Sequence, residues 1–278
     1  MNVFEGRRIR QLKFLVTNDD GIFAPGVAAL VEVLQHFGEI CVVCPDQERS
    51  AISHSITIKQ PLKATPVSIF GSNVQAWAIN GTTADCVKLA LEVLLKEPPD
   101  VVVSGINLGA NLGRDVFYSG TMAGAAEASL FNIPAIAVSV DRTNTKETNF
   151  QLPKRLFYEV MEIILPNKPP EGVFININLP YVTREFCAGI KVVPLDLSVS
   201  RYKYVGLNDP YGQVYYWLKD RLSQLSDFDE EGDYGKLKAG YITVTPLEGK
   251  VCHKKHVKKL ERWFHNKMMK KSKEELYI

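Results

Sequence analysis

Short apolar runs alternate along the first part of the chain with segments whose apolar residues recur at helical spacing. The apolar runs predict buried strands at KFLVT, ICVVC, AWAIN, DVVVSG, PAIAVSV and VFININLP. The amphipathic segments predict helices over 25–37, 83–97, 120–132 and from about 154 to 165. Strands that are apolar on both faces and alternate with helices are typical of a parallel sheet covered by helices on both sides. The pattern therefore predicts an α/β fold.

This alternation ends after Pro180. Beyond it, GQVYYWLKD and AGYITVTPL predict two strands that flank an acidic, loop-like segment, SDFDEEGDYG. We interpret 186–247 as hairpin material that is added to a core of 13–185, and not as a second α/β domain. The whole chain, 1–278, is then a single domain.

The last part of the chain, 248–278, is basic and helical in pattern. We expect a solvated helix whose Leu260, Trp263 and Phe264 pack on the body of the protein or on a partner subunit. Nucleic-acid binding is the less favoured interpretation, because no nucleic-acid-binding motif accompanies the basic residues.

The composition is that of an ordinary globular protein, with 46% hydrophobic residues, 23% charged residues and a net charge of +2. It gives no indication of a nucleic-acid or membrane partner. The cysteines are scattered, which argues against a secreted disulfide framework, and Cys41 and Cys44 face opposite sides of one predicted strand. The apolar run Phe14–Val16 that follows the basic N-terminus is too short for a signal segment. We therefore expect a cytoplasmic protein.

Polar residues follow the predicted strands at the points where these strands end. Asn18, Asp19 and Asp20 follow KFLVT, Ser50 comes after ICVVC, and INLGANLGRDVFYSGT follows DVVVSG. Ligands of open α/β sheets bind beyond the carboxyl ends of the strands, so these residues mark the expected site. Two adjacent carboxylates are costly unless a cation or a set of donors offsets their charge. Two interpretations of the acidic pair are therefore open at this point. It is either part of a polar turn that caps the following helix or one half of a metal site.

The chemistry of these residues favours a divalent cation beside an anion pocket. Carboxylate, hydroxyl and carboxamide oxygens are hard ligands, which suit magnesium, manganese or calcium. The glycine-rich segment 104–121 ends in Ser119-Gly120-Thr121 at a predicted helix start, where hydroxyls and backbone N–H groups receive anions. It contains neither a Walker A lysine nor a GxGxxG fingerprint, which disfavours kinases and dinucleotide enzymes. Phosphoester hydrolysis is the reaction class that this combination indicates.

At these residues the chain resembles the SurE (survival protein E) family of nucleotidases. The resemblance extends from about residue 13 to 247, in the family's order. The matching stretches are NDDGIFAPG, CPDQERSAISHSIT, NGTTADCVKLAL, PDVVVSGINLGANLGRDVFYSGTMAGAAEA, INLP, DPYGQVYYWL and GYITVTPL.

The resemblance implies a Rossmann-like, three-layer α/β/α fold with a protruding arm through which subunits form a homodimer or homotetramer. It also implies a phosphatase that hydrolyses nucleoside 5′-monophosphates, and 3′-monophosphates as well, with one Mg²⁺ or Mn²⁺ per subunit. The implied metal ligands are Asp19, Asp20, Ser50 and Asn107. The implied phosphate contacts are Asn111, Ser119, Gly120 and Thr121.

The role of each carboxylate is a hypothesis at this point. Asp19 or Asp20 could orient a metal-activated water, which we favour, or attack phosphorus directly and form an aspartyl phosphate. A non-catalytic, metal-dependent nucleotide sensor on the same scaffold is the alternative function. Three stretches depart from the family's pattern: Ala51 stands where a glycine is usual, EEGDYGKLKAGY matches loosely, and LDLSVSRYKY lacks the usual basic pattern.

Overall fold

The structure is a computed structural model that describes residues 11–141, 149–167, 169–249, 251–252 and 256–264. Its strands are β1 (Leu12–Thr17), β2 (Gly38–Pro45), β3 (Ala64–Pro66), β4 (Gln75–Ile79), β5 (Val101–Leu108), β6 (Ala135–Val140), β7 (Val173–Leu179), β8 (Gly189–Val192), β9 (Tyr202–Asn208), β10 (Val214–Asp220) and β11 (Tyr241–Glu248). Its helices are α1 (Pro25–Leu34), α2 (Thr83–Leu89), α3 (Gly120–Leu130), α4 (Gln151–Ile164) and α5 (Asp233–Lys238).

Nine strands form the main sheet, in the order β3-β4-β2-β1-β5-β6-β7-β11-β8. From β4 to β7 all neighbouring strands are parallel. The chain starts at β1, winds outward through β2 and β4, then returns to β5 and winds the other way. This is the strand order of a doubly wound fold. The predicted α/β fold is confirmed.

Helices cover both faces of this sheet. Residues of α1 and α4 join one buried apolar cluster with Phe14 and Val16 of β1, whereas residues of α2 and α3 join another with Leu15. Because both faces are covered, every position of the strand can be apolar, which explains the unbroken runs in the sequence. Cys44 lies in the first cluster and Cys41 packs against the second, as their spacing predicts.

Several element boundaries differ from the prediction. Strand β5 continues past Gly105 as far as Leu108, after a register shift against β6. Helix α1 ends at Leu34, three residues before the predicted end at residue 37, and β2 begins at Gly38. Helix α4 starts at Gln151, because Pro153 is tolerated in a first turn. The short strands β3 and β8 and the exposed strand β9 were not predicted, since none of them carries a long apolar run.

The arm is narrower than the predicted segment of 186–247. Only β9 and β10 leave the main sheet, as an antiparallel hairpin in which Tyr202 pairs with Asp220. Strand β11 instead pairs antiparallel with β7 and parallel with β8, and the acidic segment contributes α5. Every residue of β9 and β10 is exposed, so we call 202–220 the arm.

Outside the core, residues 256–264 form a helix. Its Leu260, Trp263 and Phe264 are exposed, so they do not pack on the body of the protein, which was one of the two packing partners expected for them. No helix in the described ranges is long and apolar enough to cross a membrane. The basic N-terminus, over 1–10, and the rest of the tail beyond 264 lie outside the described residues.

Candidate metal and phosphate site

The predicted site residues meet where the winding of the sheet reverses, between β1 and β5. Asp19 and Asp20 follow β1, and Asn107 and Leu108 are the last residues of β5. The backbone amide of Leu108 hydrogen-bonds to the Asp20 carboxyl and lowers its pKa, so the ends of the two strands are in direct contact. A doubly wound sheet opens a crevice at this switch point, which explains why polar residues collect there.

Asp19 lies against the N-terminus of α3. Its carboxylate accepts hydrogen bonds from the Thr121 hydroxyl and from the backbone amides of Gly120 and Thr121. The approach requires a glycine, because a Cβ on Gly120 would stand 2.7 Å from the Cβ of Asp19. Burial raises the pKa of Asp19 above its usual range, and it outweighs the hydrogen-bond donors, which lower this pKa. The buried carboxylate is thus held in place but not fully neutralised.

Asp20 carries the greater electrostatic cost. Burial, the charge of Asp19 and the charge of Glu48 together raise its pKa from 3.8 to about 7. The contributions that lower the pKa values of the pair come from hydrogen bonds and not from a basic side chain. Beside the pair, the buried Oδ1 atom of Asn18 has no hydrogen-bond partner. The turn therefore presents concentrated negative charge that a cation would offset.

The donor set fits a hard divalent cation. In the part of the chain that the structure describes, no three His, Cys, Asp or Glu side chains converge, so two carboxylates would need neutral oxygens to complete the coordination. Asn107 supplies one candidate. Its Nδ2 donates a hydrogen bond to the backbone carbonyl of Gly109 over 2.6 Å. The side-chain carbonyl oxygen of Asn107 is therefore the atom that could bind a cation.

Ser50 lies in the loop after β2, which is attached to the acidic turn. The backbone amide of Arg49 donates to the carbonyl of Asp19 over 2.7 Å, and that of Ile22 donates to the carbonyl of Pro45 over 2.9 Å. The Ser50 hydroxyl donates to Glu48 Oε1 over 2.7 Å. Ala51 follows with a φ of 56°, in the left-handed region that glycine adopts without cost.

Asn111 and Ser119 flank the loop after β5. The side chain of Asn111 donates to Ser139 Oγ over 2.8 Å, and its backbone amide donates to Asn178 Oδ1 over 2.8 Å. Ser119 is the N-cap of α3, where its Oγ accepts the amide of Met122 over 3.2 Å, so its own proton can be donated elsewhere. Both side chains hold this loop at the carboxyl edge of the sheet.

Several residues that support the loop escaped the sequence-based prediction. Buried Asp233 accepts the amide of Gly113 over 2.7 Å and that of Asp196 over 2.9 Å. The side chains of Asn176 and Asn178 in β7 donate to the carbonyl of Asn111. The sequence does distinguish the two asparagines, because they are the polar residues of an otherwise apolar strand, ININL. Asp233 stands among several other acidic residues, so the sequence does not distinguish it.

Comparison with known proteins relates this geometry to one family. A family model described as Survival protein SurE matches residues 14–201. A protein named 5′-nucleotidase SurE from Alkaliphilus metalliredigens is 39% identical over 251 residues, which cover 90% of this chain and 98% of that protein. One of the same name from Heliobacterium modesticaldum is 40% identical over 253 residues, with 91% and 92% covered. The crystal structure of the SurE protein from Aquifex aeolicus matches with a TM-score of 0.76 and 35% identity, over 90% of this chain and 99% of that one.

Because the charged form of Asp20 is destabilised by burial and by neighbouring carboxylates, we expect Asp20→Asn to stabilise the metal-free protein. The Asp20 carboxyl keeps its proton to about pH 7 when folded but only to about 3.8 when unfolded, so the wild type loses stability as the pH rises through this window. Removing the charge should raise the free energy of unfolding at pH 8 by about 2 kcal/mol, after a discount for partial exposure. Urea titrations at pH 5 and pH 8 measure it.

Asp100→Asn is the matched control, since Asp100 accepts a backbone bond from Lys13 at the opposite edge of the sheet. It should not gain stability at pH 8. A lower stability of Asp20→Asn than of the wild type at pH 8 would contradict the assignment of an uncompensated charge.

The backbone of Ala51 predicts that Ala51→Gly stabilises the loop that carries Ser50. The left-handed conformation costs alanine more than glycine gains in the unfolded chain, so we expect a gain of about 0.5–1 kcal/mol in the free energy of unfolding. Ala239 is also exposed but has a φ of −76°, so Ala239→Gly should lose about the same amount. Thermal unfolding of both variants tests the contrast, and a shift of the same sign in both would count against it.

Proposed function

The chain belongs to the survival protein SurE family, and on that premise we propose that it is a divalent-cation-dependent 5′-nucleotidase. The relatives to which it is similar over most of its length bear the name 5′-nucleotidase SurE. The proposed reaction converts a nucleoside 5′-monophosphate, and also a 3′-monophosphate, into the nucleoside and inorganic phosphate. The observation that carries the cation dependence is the uncompensated Asp19–Asp20 pair beside the N-terminus of α3.

In this proposal one Mg²⁺ or Mn²⁺ per subunit is held by Asp19, Asp20, Ser50 and Asn107. When bound, the cation would polarise a phosphoryl oxygen and favour ionisation of a water molecule. Ser50 can serve as a ligand while its hydroxyl donates to Glu48, because the lone pairs of its oxygen stay available to a cation. Asn107 is arranged in the same way, because its nitrogen donates to Gly109 and its carbonyl oxygen is left for a cation.

The proposed phosphate contacts differ in whether they have a hydrogen-bond donor that the protein does not already use. Ser119 has a hydroxyl proton to donate, and Asn111 has a second N–H besides the one that bonds to Ser139. Gly120 and Thr121 already donate to Asp19 in this structure, so their first task is to position that carboxylate. The phosphate would lie at the positive end of α3, next to these groups.

The two carboxylates take different roles in this scheme. Asp19 is buried and its Oδ1 atom accepts the Thr121 proton, which leaves it poorly placed to attack phosphorus. Asp20 is more exposed, so we assign it the task of orienting the attacking water. We favour water attack over an aspartyl phosphate for this reason. We also propose that the enzyme acts in the cytoplasm, since its described cysteines are free thiols, and that neither nucleic acid nor a membrane is a stable partner.

Asp19→Asn and Asp20→Asn should each lower the release of phosphate from nucleoside monophosphates by about 100-fold or more, because each removes charge that holds the cation. Asp100→Asn should keep the wild-type rate. A malachite-green assay of purified protein with Mn²⁺, and again after addition of EDTA, gives the measurement. Nucleotide binding without any turnover in the wild type would favour the sensor over the enzyme.

The arm supports a separate proposal, that this chain pairs with a second copy of itself. Its hairpin leaves more than half of the surface of Tyr204, Tyr215, Tyr216 and Trp217 exposed to solvent. An isolated two-stranded hairpin is marginal in water, so one with this many exposed aromatic rings requires a covering surface. We propose that the cover is a symmetry-related arm in a homodimer or homotetramer.

Replacing Tyr216 and Trp217 together by serine should turn the assembly into a monomer of 31.1 kDa. Light scattering after size-exclusion chromatography measures the mass directly. Phe186→Ser is the matched control, because Phe186 is similarly exposed but lies outside the arm, shortly before β8. A monomeric wild type would rule out pairing through the arm.

A further inference from the structure

The side chain of Arg201 is almost completely buried at the base of the arm, where it contacts two acids. One guanidinium nitrogen donates to Asp115 Oδ2 over 2.9 Å and to the carbonyl of Ala110 over 3.1 Å. The other two nitrogens form a fork on the carboxylate of Asp220, over 2.9 and 2.7 Å. Only 10% of its side chain remains accessible to solvent. None of the proposed metal or phosphate contacts uses this residue.

Two partners of Arg201, Ala110 and Asp115, lie within the loop over 109–119, which we call the anion loop. Ala110 directly precedes Asn111. Asp115 accepts the backbone amide of Tyr118 at its carbonyl over 3.0 Å, and Tyr118 directly precedes Ser119. A single guanidinium therefore fixes the backbone beside both side chains that have donors left for a phosphate.

On its other side, Arg201 joins this loop to the arm. Asp220 is the last residue of β10, and Arg201 comes directly before β9, so the fork closes the open end of the hairpin. The amide of Arg221 also donates to the carbonyl of Arg201 over 3.0 Å. Because a buried charge that loses one of its partners is strongly destabilising, the loop and the arm cannot shift independently.

We propose that Arg201 is a positioning residue that locks the anion loop to the base of the arm and thereby sets the affinity of the site for phosphate. The inference rests on the proposed function for the identity of the anion. Beyond the proposed function, the inference is that the phosphate contacts depend on Arg201, which lies at the base of the arm and does not itself contact the phosphate.

Arg201→Met should weaken binding of inorganic phosphate, measured by calorimetry, by about tenfold, the loss expected when one charge-assisted bond no longer orders the donors. The rise in melting temperature that Mn²⁺ causes should stay at the wild-type value, because Asp19 and Asp20 are positioned by β1 and α3. A merely structural role would reduce both readouts together. Arg184→Met is the control: it removes an exposed pair with Glu159 and should leave both unchanged.

Two further variants keep the proposal testable if Arg201→Met folds poorly. Arg201→Lys retains the charge but cannot bridge both acids, so it should weaken phosphate binding by a smaller factor. Asp220→Asn cuts the tie to the arm and leaves Asp115 in place, and it should weaken phosphate binding as well. If Arg201→Met or Asp220→Asn binds phosphate with the wild-type affinity, the proposal that Arg201 positions the anion loop is wrong. A wild type that binds phosphate but releases none from nucleotides refutes the proposed function and leaves this inference standing.

Discussion

The negative charge at the end of β1 is the constraint on which the site depends. Two carboxylates share one turn, and burial raises the pKa of both, so the fold tolerates them only through the donors that surround them. The amides at the start of α3, the Thr121 hydroxyl and the amide of Leu108 all converge on this turn. These contacts hold helix α3 and strand β5 close to β1, and the amide of Arg49 attaches the loop after β2 through the carbonyl of Asp19. The same convergence creates the crevice.

Small residues make this convergence sterically possible. Helix α3 lies so close to the sheet and to α2 that a Cβ on Gly124 would come within 2.9 Å of Thr17 and Ser104 in the sheet and of Thr83 in α2. Gly120 is equally restricted by Asp19. Helix α1 approaches the other face, where a Cβ on Gly26 would stand 2.1 Å from the carbonyl oxygen of Ile106. The glycines and alanines of α3 therefore serve close packing, and the helix brings its positive end to the carboxylates as a consequence.

The parts of the fold that the sequence predicts are those in which local pattern and tertiary environment agree. The central strands are apolar on both faces, and the acidic turn, the Ser50 loop and the anion loop follow from the rule that ligands bind at their carboxyl ends. The end of β5 was missed because Gly105 resembles a strand terminator, whereas the strand resumes after its register shift. Arg201 and Asp115 pair across 86 residues, so no local pattern could indicate the contact.

The donors around Asp19 link the proposed cation site to the proposed phosphate site. Gly120 and Thr121 donate to Asp19, although the family resemblance implies that they contact phosphate. One set of donors cannot satisfy two anions at full strength, so a phosphate at this helix end competes with Asp19 as long as the carboxylate charge is uncompensated. A cation at the acidic pair would remove that competition and attract the phosphate directly. By linkage, phosphate would then strengthen cation binding by the same factor, so under the proposed function the adjacent carboxylates would couple occupancy of the anion pocket to that of the metal site.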